Sequence, residues 1–184
     1  PISRDGPGWR AELDLPPGEV WDLIGDGARW AEWMVDTAEV DVSPGATGDV
    51  TDADFNEATA DVVVDEWGGV DAWICNAGIS PIVAGPRPTE AAVFRDVVEV
   101  NLTAAFLGAR AAARVLGDGG RIIFTGSVLG ERPGRGLSAY SASKAGLVGL
   151  AKGLALDLAP QGVTVNVVAP GWFDSPLADG WKSN

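Results

Sequence analysis

The sequence predicts an α/β fold built on a parallel sheet with helices between its strands. Two observations carry this. From about Asp49 onward, three short apolar runs rich in β-branched residues each stop at a cluster of turn formers. Longer stretches of helical character separate them, and a parallel strand pair needs a crossover of that length to bring the chain back.

The elements follow in order. Asp54 to Trp67 is a predicted helix closed by Gly68-Gly69, and Val70-Asp-Ala-Trp-Ile-Cys75 is a predicted strand that stops at Asn76-Ala77-Gly78. A helix runs from Thr89, its candidate N-cap, to about Val100, and an Ala-rich helix from Asn101 to Leu116 ends at Gly117-Asp-Gly-Gly120. Arg121-Ile-Ile-Phe-Thr125 is the second strand, ending at Gly126-Ser127. Ser138 to Ala159 is the next helix, closed by Pro160-Gln-Gly162, and Val163-Thr-Val-Asn-Val-Val168 is the third strand, ending at Ala169-Pro170-Gly171. Apolar runs this short suit buried parallel strands. In open sheets of this kind ligands bind beyond the carboxyl ends of the strands, which is where these loops fall.

Composition bounds the rest. A chain of 184 residues with 46% apolar content has the size and core of one compact domain. No run approaches the roughly 20 apolar residues of a membrane helix and no signal-peptide pattern opens the chain, so a soluble, cytoplasmic protein is expected. Histidine is absent, which removes Ser-His-Asp and Cys-His catalysis and every His-based metal site. The formal charge of −13 excludes nucleic acid and anionic membranes as natural partners, since both require clustered Lys and Arg. The single Cys75, inside an apolar run, reads as a buried structural thiol.

Proton chemistry at neutral pH therefore needs another group, and Tyr140 with Lys144 supplies one. Positions i and i+4 share a helix face, so the two side chains project together near the start of the Ser138 helix. A phenol has a reference pKa near 10, and a neighbouring ammonium lowers it by favouring the phenolate. Ser127, thirteen residues before the Tyr at a strand's carboxyl end, is placed to donate to a carbonyl or a developing alkoxide. Each feature also has a plainer reading: Asn76-Ala77-Gly78 and Pro170-Gly171 as turns, Ser127 as a cap, and Tyr and Lys as chance neighbours. Their joint occurrence in this order at one sheet edge favours the functional reading.

Residues from about Asp49 to Leu177 resemble the short-chain dehydrogenase/reductase family, on Tyr140-x-x-x-Lys144, Asn76-Ala77-Gly78 and Pro170-Gly171. The resemblance implies a Rossmann-like sheet with flanking helices, incomplete at both ends relative to the family. It implies NAD or NADP as cofactor and a small-molecule carbonyl or alcohol as substrate. It implies Tyr140 as general acid/base, Lys144 as the group that binds the nicotinamide ribose and lowers the Tyr pKa, Ser127 as the substrate-orienting hydroxyl and Asn101 as part of a water-held proton relay. Asp49 and Val50 would meet the adenine ring, and Asn76-Ala77-Gly78 would pass the cofactor ribose. Pro170, Gly171, Phe173 and Ser175 would hold the nicotinamide carboxamide, with Phe173 and Ser175 standing where an aliphatic residue and a Thr are usual. A homo-oligomer, tetramer or dimer, through the helices at 101–116 and 138–159 is implied as well.

Residues 1–48 depart from this pattern. Ten acidic residues against Arg4, Arg10 and Arg29 give the segment a local charge of −7. The family's opening Thr-Gly-x-x-x-Gly-x-Gly turn, whose N–H groups hold the pyrophosphate, has no counterpart: Gly6-Pro-Gly8 has neither the spacing nor a preceding strand. Trp9 to Leu15 reads as a strand, Pro17 to Met34 as a helix and Thr37 to Val42 as a strand. Asp14, Glu19 and Asp22 near the start of that helix would repel a phosphate. Residues 9–34 resemble more weakly the opening of a START-like, polyketide-cyclase-type domain. A fused N-terminus or a diverged βα unit would explain the segment. The chain thus divides into an atypical segment at 1–48 and a dehydrogenase-like core at 49–184. Two functional readings compete: the oxidoreductase, and a protein of the same ancestry with impaired cofactor binding that serves as a structural or partner-binding module. A lipid-binding role for the N-terminal segment is a third.

Overall fold

A computed structural model describes residues 48–172 apart from residue 82, together with the backbone of two short strands, β1 (Ile2–Ser3) and β2 (Arg10–Ala11). These two pair antiparallel, Ile2 with Ala11 and Ser3 with Arg10. The helix at 17–34, the strand at 37–42 and, save for Arg10–Ala11, the START-like resemblance at 9–34 lie outside the described residues.

The main body is a Rossmann-like α/β unit. Helix α1 (Ala53–Trp67) starts at Asp52, whose carboxylate accepts from the Asp54 N–H, and stops at Gly68, whose φ of 79° returns an N–H to the Val64 carbonyl. Strand β3 (Val70–Cys75) follows with the predicted bounds. Helix α2 (Ala91–Val98), a π-helical turn (Glu99–Thr103) and helix α3 (Ala104–Val115) then form one continuous rod. Two predictions are corrected here. The helices expected on either side of residue 100 are joined, and the N-cap is Glu90, while the Thr89 hydroxyl donates to the Gly85 carbonyl.

Strand β4 (Leu116–Thr125) begins directly after α3. Gly117-Asp-Gly-Gly120 is therefore a bulge in the strand and no helix-ending turn: Val70 pairs with Leu116 but Ala72 already pairs with Arg121, so the intervening residues loop out, with Gly119 at φ 81°. Helix α4 (Ser138–Leu158) and strand β5 (Thr164–Val168) complete a parallel sheet of order β3-β4-β5, in which Ile74 lies beside Ile123 and Ile123 beside Asn166.

One face of this sheet carries the core. Trp73, Cys75, Ile122, Phe124, Val165 and Val167 pack against Ala105, Ala109 and Ala112 of α3 and Leu147, Ala151 and Leu158 of α4. Ile122 and Phe124 are fully buried, each stabilising the fold by about 2 kcal/mol through area removed from water. The alanines let α3 approach closely; at Gly108 a Cβ would lie 3.1 Å from Trp73 Nε1 and 3.3 Å from Cys75 Sγ. Helix α1 packs against α3, and surface ion pairs of Glu57 with Arg110 and Arg114, and of Asp61 with Arg114, add little at their exposure. The opposite face differs from the expectation of strands buried throughout: Ile74 is 53% exposed and Val168 37% among the described residues, because the long helices pack on the Trp73 side. Among the described residues no helix is long and apolar enough to cross a membrane.

Candidate active site

The carboxyl ends of β3, β4 and β5 open at one edge, and hydrogen bonds stitch their loops together. Gly126 N donates to Val168 O (2.7 Å) and Val128 N to Pro170 O (3.0 Å), joining the loops after β4 and β5. Ser127 caps a short 3-10 turn, Val128–Gly130, its Oγ accepting the Leu129 N–H at 3.1 Å. The plain cap reading of Ser127 is thus correct as far as it goes. Its hydroxyl also hydrogen-bonds the Tyr140 phenol, so capping and pairing with Tyr140 coexist.

Tyr140 and Lys144 share the inner face of α4, 6% and 4% exposed. Lys144 Nζ stands 5.6 Å from the Tyr140 ring centroid and donates at 2.6 Å to the Thr125 carbonyl at the end of β4. That carbonyl anchor was not legible in the sequence. Burial pushes the Lys144 pKa down to about 8. Burial pushes the Tyr140 phenol above its ordinary value, and the Ser127 hydroxyl offsets part of that rise. In this ligand-free state the net shift of Tyr140 is upward where the expectation from Lys144 was a lowering, because burial outweighs what favours the phenolate.

The 3-10 turn presses directly on α4. A Cβ at Gly130 would lie 3.0 Å from both Ala145 N and the Lys144 carbonyl carbon, which are backbone atoms that cannot rotate away. Gly130→Ala is expected to destabilise the fold by about 1–3 kcal/mol, the usual cost of overpacking. Urea unfolding checks this, and a midpoint equal to that of the parent would refute the close contact.

Asn101 projects from the π-turn and is 1% exposed. Its Oδ1 accepts the Ile79 N–H at 2.7 Å, and its Nδ2 donates to Ile79 O and to Ser143 Oγ, each at 3.0 Å. The side chain thus clamps the loop after β3 to α4, and the sequence signalled neither the π-turn that aims it nor Ser143. Asn76 and Ala77 are exposed, while Gly78 faces Lys144 and Asn101. Tyr140 also lines a small cleft with Ser80, Ala84, Val93 and Leu137.

Asp49 and Val50 precede α1. Because α1 leads back to the start of β3, its own start lies toward the carboxyl edge of the sheet. Asp49 accepts from both the N–H and the hydroxyl of Thr51, which holds its exposed carboxyl below the usual carboxylate range, and Val50 O accepts from Asn56 Nδ2. Pro170 and Gly171 lie in the loop after β5, while Phe173 and Ser175 lie outside the described residues. Cys75 is a buried thiol pushed up to about 12, in keeping with a structural role.

The arrangement fits a nicotinamide dinucleotide in one testable respect. Gly78 has no side chain, and a Cβ there would lie 3.4 Å from Lys144 Nζ and 3.5 Å from Asn101 Oδ1. The loop after β3 thus passes close to the buried ammonium with no side chain between them.

Comparison with known proteins agrees. A sequence model described as short chain dehydrogenase matches residues 29–184, a span that begins before Asp49. The chain is 40% identical over 132 residues to the cyclic-di-GMP-binding biofilm dispersal mediator protein of Escherichia coli, covering 71% of this chain and 55% of that protein. It is 38% identical over 139 residues to the 3-oxoacyl-(acyl-carrier-protein) reductase FabG of Vibrio cholerae, covering 74% and 57%. Among solved structures, a short chain dehydrogenase from Burkholderia cenocepacia in complex with NADP superposes with a TM-score of 0.68 at 41% identity, over 73% of this chain and 56% of that one. The chain spans about half the length of the curated relatives it matches. The chain belongs to the short-chain dehydrogenase family.

Proposed function

We propose that this chain is an NAD- or NADP-dependent oxidoreductase that interconverts a small-molecule carbonyl and its alcohol. The carrying observation is the Ser127–Tyr140–Lys144 arrangement: a phenol hydrogen-bonded to a strand-end hydroxyl, with a buried ammonium 5.6 Å from its ring. The relatives support the same class, one being a reductase by name and one structural neighbour holding NADP.

The nicotinamide, when bound, supplies or accepts the hydride. Ser127 and Tyr140 hold the carbonyl oxygen, and the Tyr140 O–H gives its proton to the alkoxide as it forms. A phenol is already protonated at neutral pH and burial moves its pKa further up, which suits the acid role in reduction. Lys144 holds the nicotinamide ribose and faces Tyr140. Asn101 orders the loop after β3 and belongs to the proton relay. Asp49 and Val50 meet the adenine. Asn76, Ala77 and Gly78 pass the ribose, and Pro170, Gly171, Phe173 and Ser175 hold the carboxamide.

Residues 49–184 form the catalytic core in this reading and residues 1–48 a separate segment of the same cytoplasmic protein. Titration of NADH or NADPH fluorescence with the full chain is expected to saturate, and absence of binding at millimolar cofactor would sink the oxidoreductase reading. A homo-oligomer through α3 and α4 is supported by Phe106 and Leu156, 41% and 79% exposed on those helices. Sedimentation velocity is expected to give a dimer or tetramer, and a monomer alone at all concentrations would remove this assembly.

A further inference from the structure

We infer that Ser143 is a positioning residue for the proposed reaction, its hydroxyl tying the loop after β3 to the helix that bears Tyr140 and Lys144 through the Asn101 amide. This rests on the oxidoreductase reading for its functional consequence, though the tether itself does not.

The argument starts from proton counting. A Ser hydroxyl has one proton to give and lone pairs to accept with. Ser143 donates that proton to the Tyr140 carbonyl at 2.7 Å, so it meets Asn101 as an acceptor, taking Nδ2–H at 3.0 Å. Asn101 gives its other amide proton to Ile79 O and accepts the Ile79 N–H at Oδ1. Ser143 and Ile79 thus demand the same orientation of the amide, and a flipped side chain would set Oδ1 against the Ile79 carbonyl. Ser143 is 0% and Asn101 1% exposed, so water does not replace a lost partner cheaply.

Place matters as much as satisfaction. Ser143 lies next to Lys144 and three residues after Tyr140, and its bond ends on the Tyr140 carbonyl itself. On the far side the chain of bonds ends at Ile79, one residue beyond Gly78, whose Cα faces Lys144 Nζ. The Ser143–Asn101–Ile79 line therefore sets the spacing between the loop after β3 and the Tyr140–Lys144 face. Helix α4 crosses the π-turn closely, since a Cβ at Gly146 would lie 2.7 Å from Leu102 Cδ2, so the bond spans a tight junction. An Ala at 143 would fill most of the same space and leave one Asn101 proton without its acceptor.

Residue-resolved amide hydrogen exchange on the full chain tests the tether without cofactor or turnover. Ser143→Ala is expected to speed exchange at the Ile79 amide by about tenfold, the effect of one buried hydrogen bond, while the Ile122 and Phe124 amides of β4 keep their protection. Ser143→Thr, which retains the hydroxyl, is expected to restore Ile79. In turnover, Ser143→Ala is expected to lower kcat by up to about tenfold with the substrate KM nearly unchanged, and Thr to recover it. Unchanged Ile79 exchange in the Ala variant overturns the proposal, as does loosening of Ile79 and β4 together or a Thr variant that fails to protect Ile79. A parent chain that binds no NADH or NADPH sinks the oxidoreductase reading alone, because the exchange result still decides the tether.

Discussion

Tyr140→Phe is expected to lower kcat for carbonyl reduction by about 10²–10⁴-fold, the usual contribution of a positioned acid, with cofactor affinity nearly unchanged. The phenol oxygen is the group that Ser127 bonds and the one placed to pass a proton, and Phe keeps the ring while deleting that oxygen. Steady-state kinetics with cofactor titration reads both effects, and retention of most of the activity would refute the acid assignment. Tyr140 is the sole tyrosine in the chain, so phenolate absorbance reports on it without deconvolution. Its midpoint in the ligand-free chain is expected above the ordinary tyrosine value, since burial disfavours the phenolate more than Ser127 favours it.

Lys144→Met is expected to abolish measurable turnover and yet to stabilise the ligand-free fold. The folded-state pKa of Lys144 is depressed from 10.5 to about 8, so the unfolded chain binds more protons between those values and stability rises with pH across that window. Below pH 8 the full cost of holding the buried ammonium is present, on the order of 3 kcal/mol. Deleting the bond to Thr125 O gives back about 1 kcal/mol of that. The melting temperature of the Met variant is expected to exceed that of the parent by about 2–6 °C at neutral pH, the gap closing as pH approaches that of free lysine. An equal or lower melting temperature at neutral pH would show that the charge is not held at a cost. For the parent, kcat/KM for reduction is expected to fall above about pH 8 as Lys144 loses its charge.

Such a trade is common where a site must keep a buried charge for use, and here the geometry shows why evasion is difficult. Lys144 reaches the Tyr140 ring only from the inner face of α4, four residues on, and that face is also the one that packs on the sheet. The helix cannot present the pair to the cleft while leaving the ammonium in water.

Much of this was legible in the sequence. Strand β3 and the end of helix α1 are legible nearly to the residue because local chemistry marks them, Gly68-Gly69 after the helix and Asn76-Ala77-Gly78 after the strand. The junctions around β4 were misread for the opposite reason. Gly117-Asp-Gly-Gly120 looks like a stop, but what it does depends on the neighbour at Val70, which decides that the residues bulge from a strand already begun. Asn101 was named for its place in a family motif, whereas its bonds to Ile79 and Ser143 connect residues 22 and 42 positions away.

The sequence by itself determined the alternation of strands and helices, the absence of histidine chemistry and the placing of Tyr140 and Lys144 on one helix face, because helical period, composition and turn residues are local properties. Tertiary structure decided the rest. The Thr125 carbonyl as the anchor of Lys144, the opposed pKa shifts of Tyr140 and Lys144, and, among the described residues, the one-sided burial of the sheet all arise where segments distant in the chain exclude water from one another. Desolvation is a property of the packed site and of no residue within it, which is why the pairing of Tyr140 with Lys144 was predictable and the direction in which burial moved them was not.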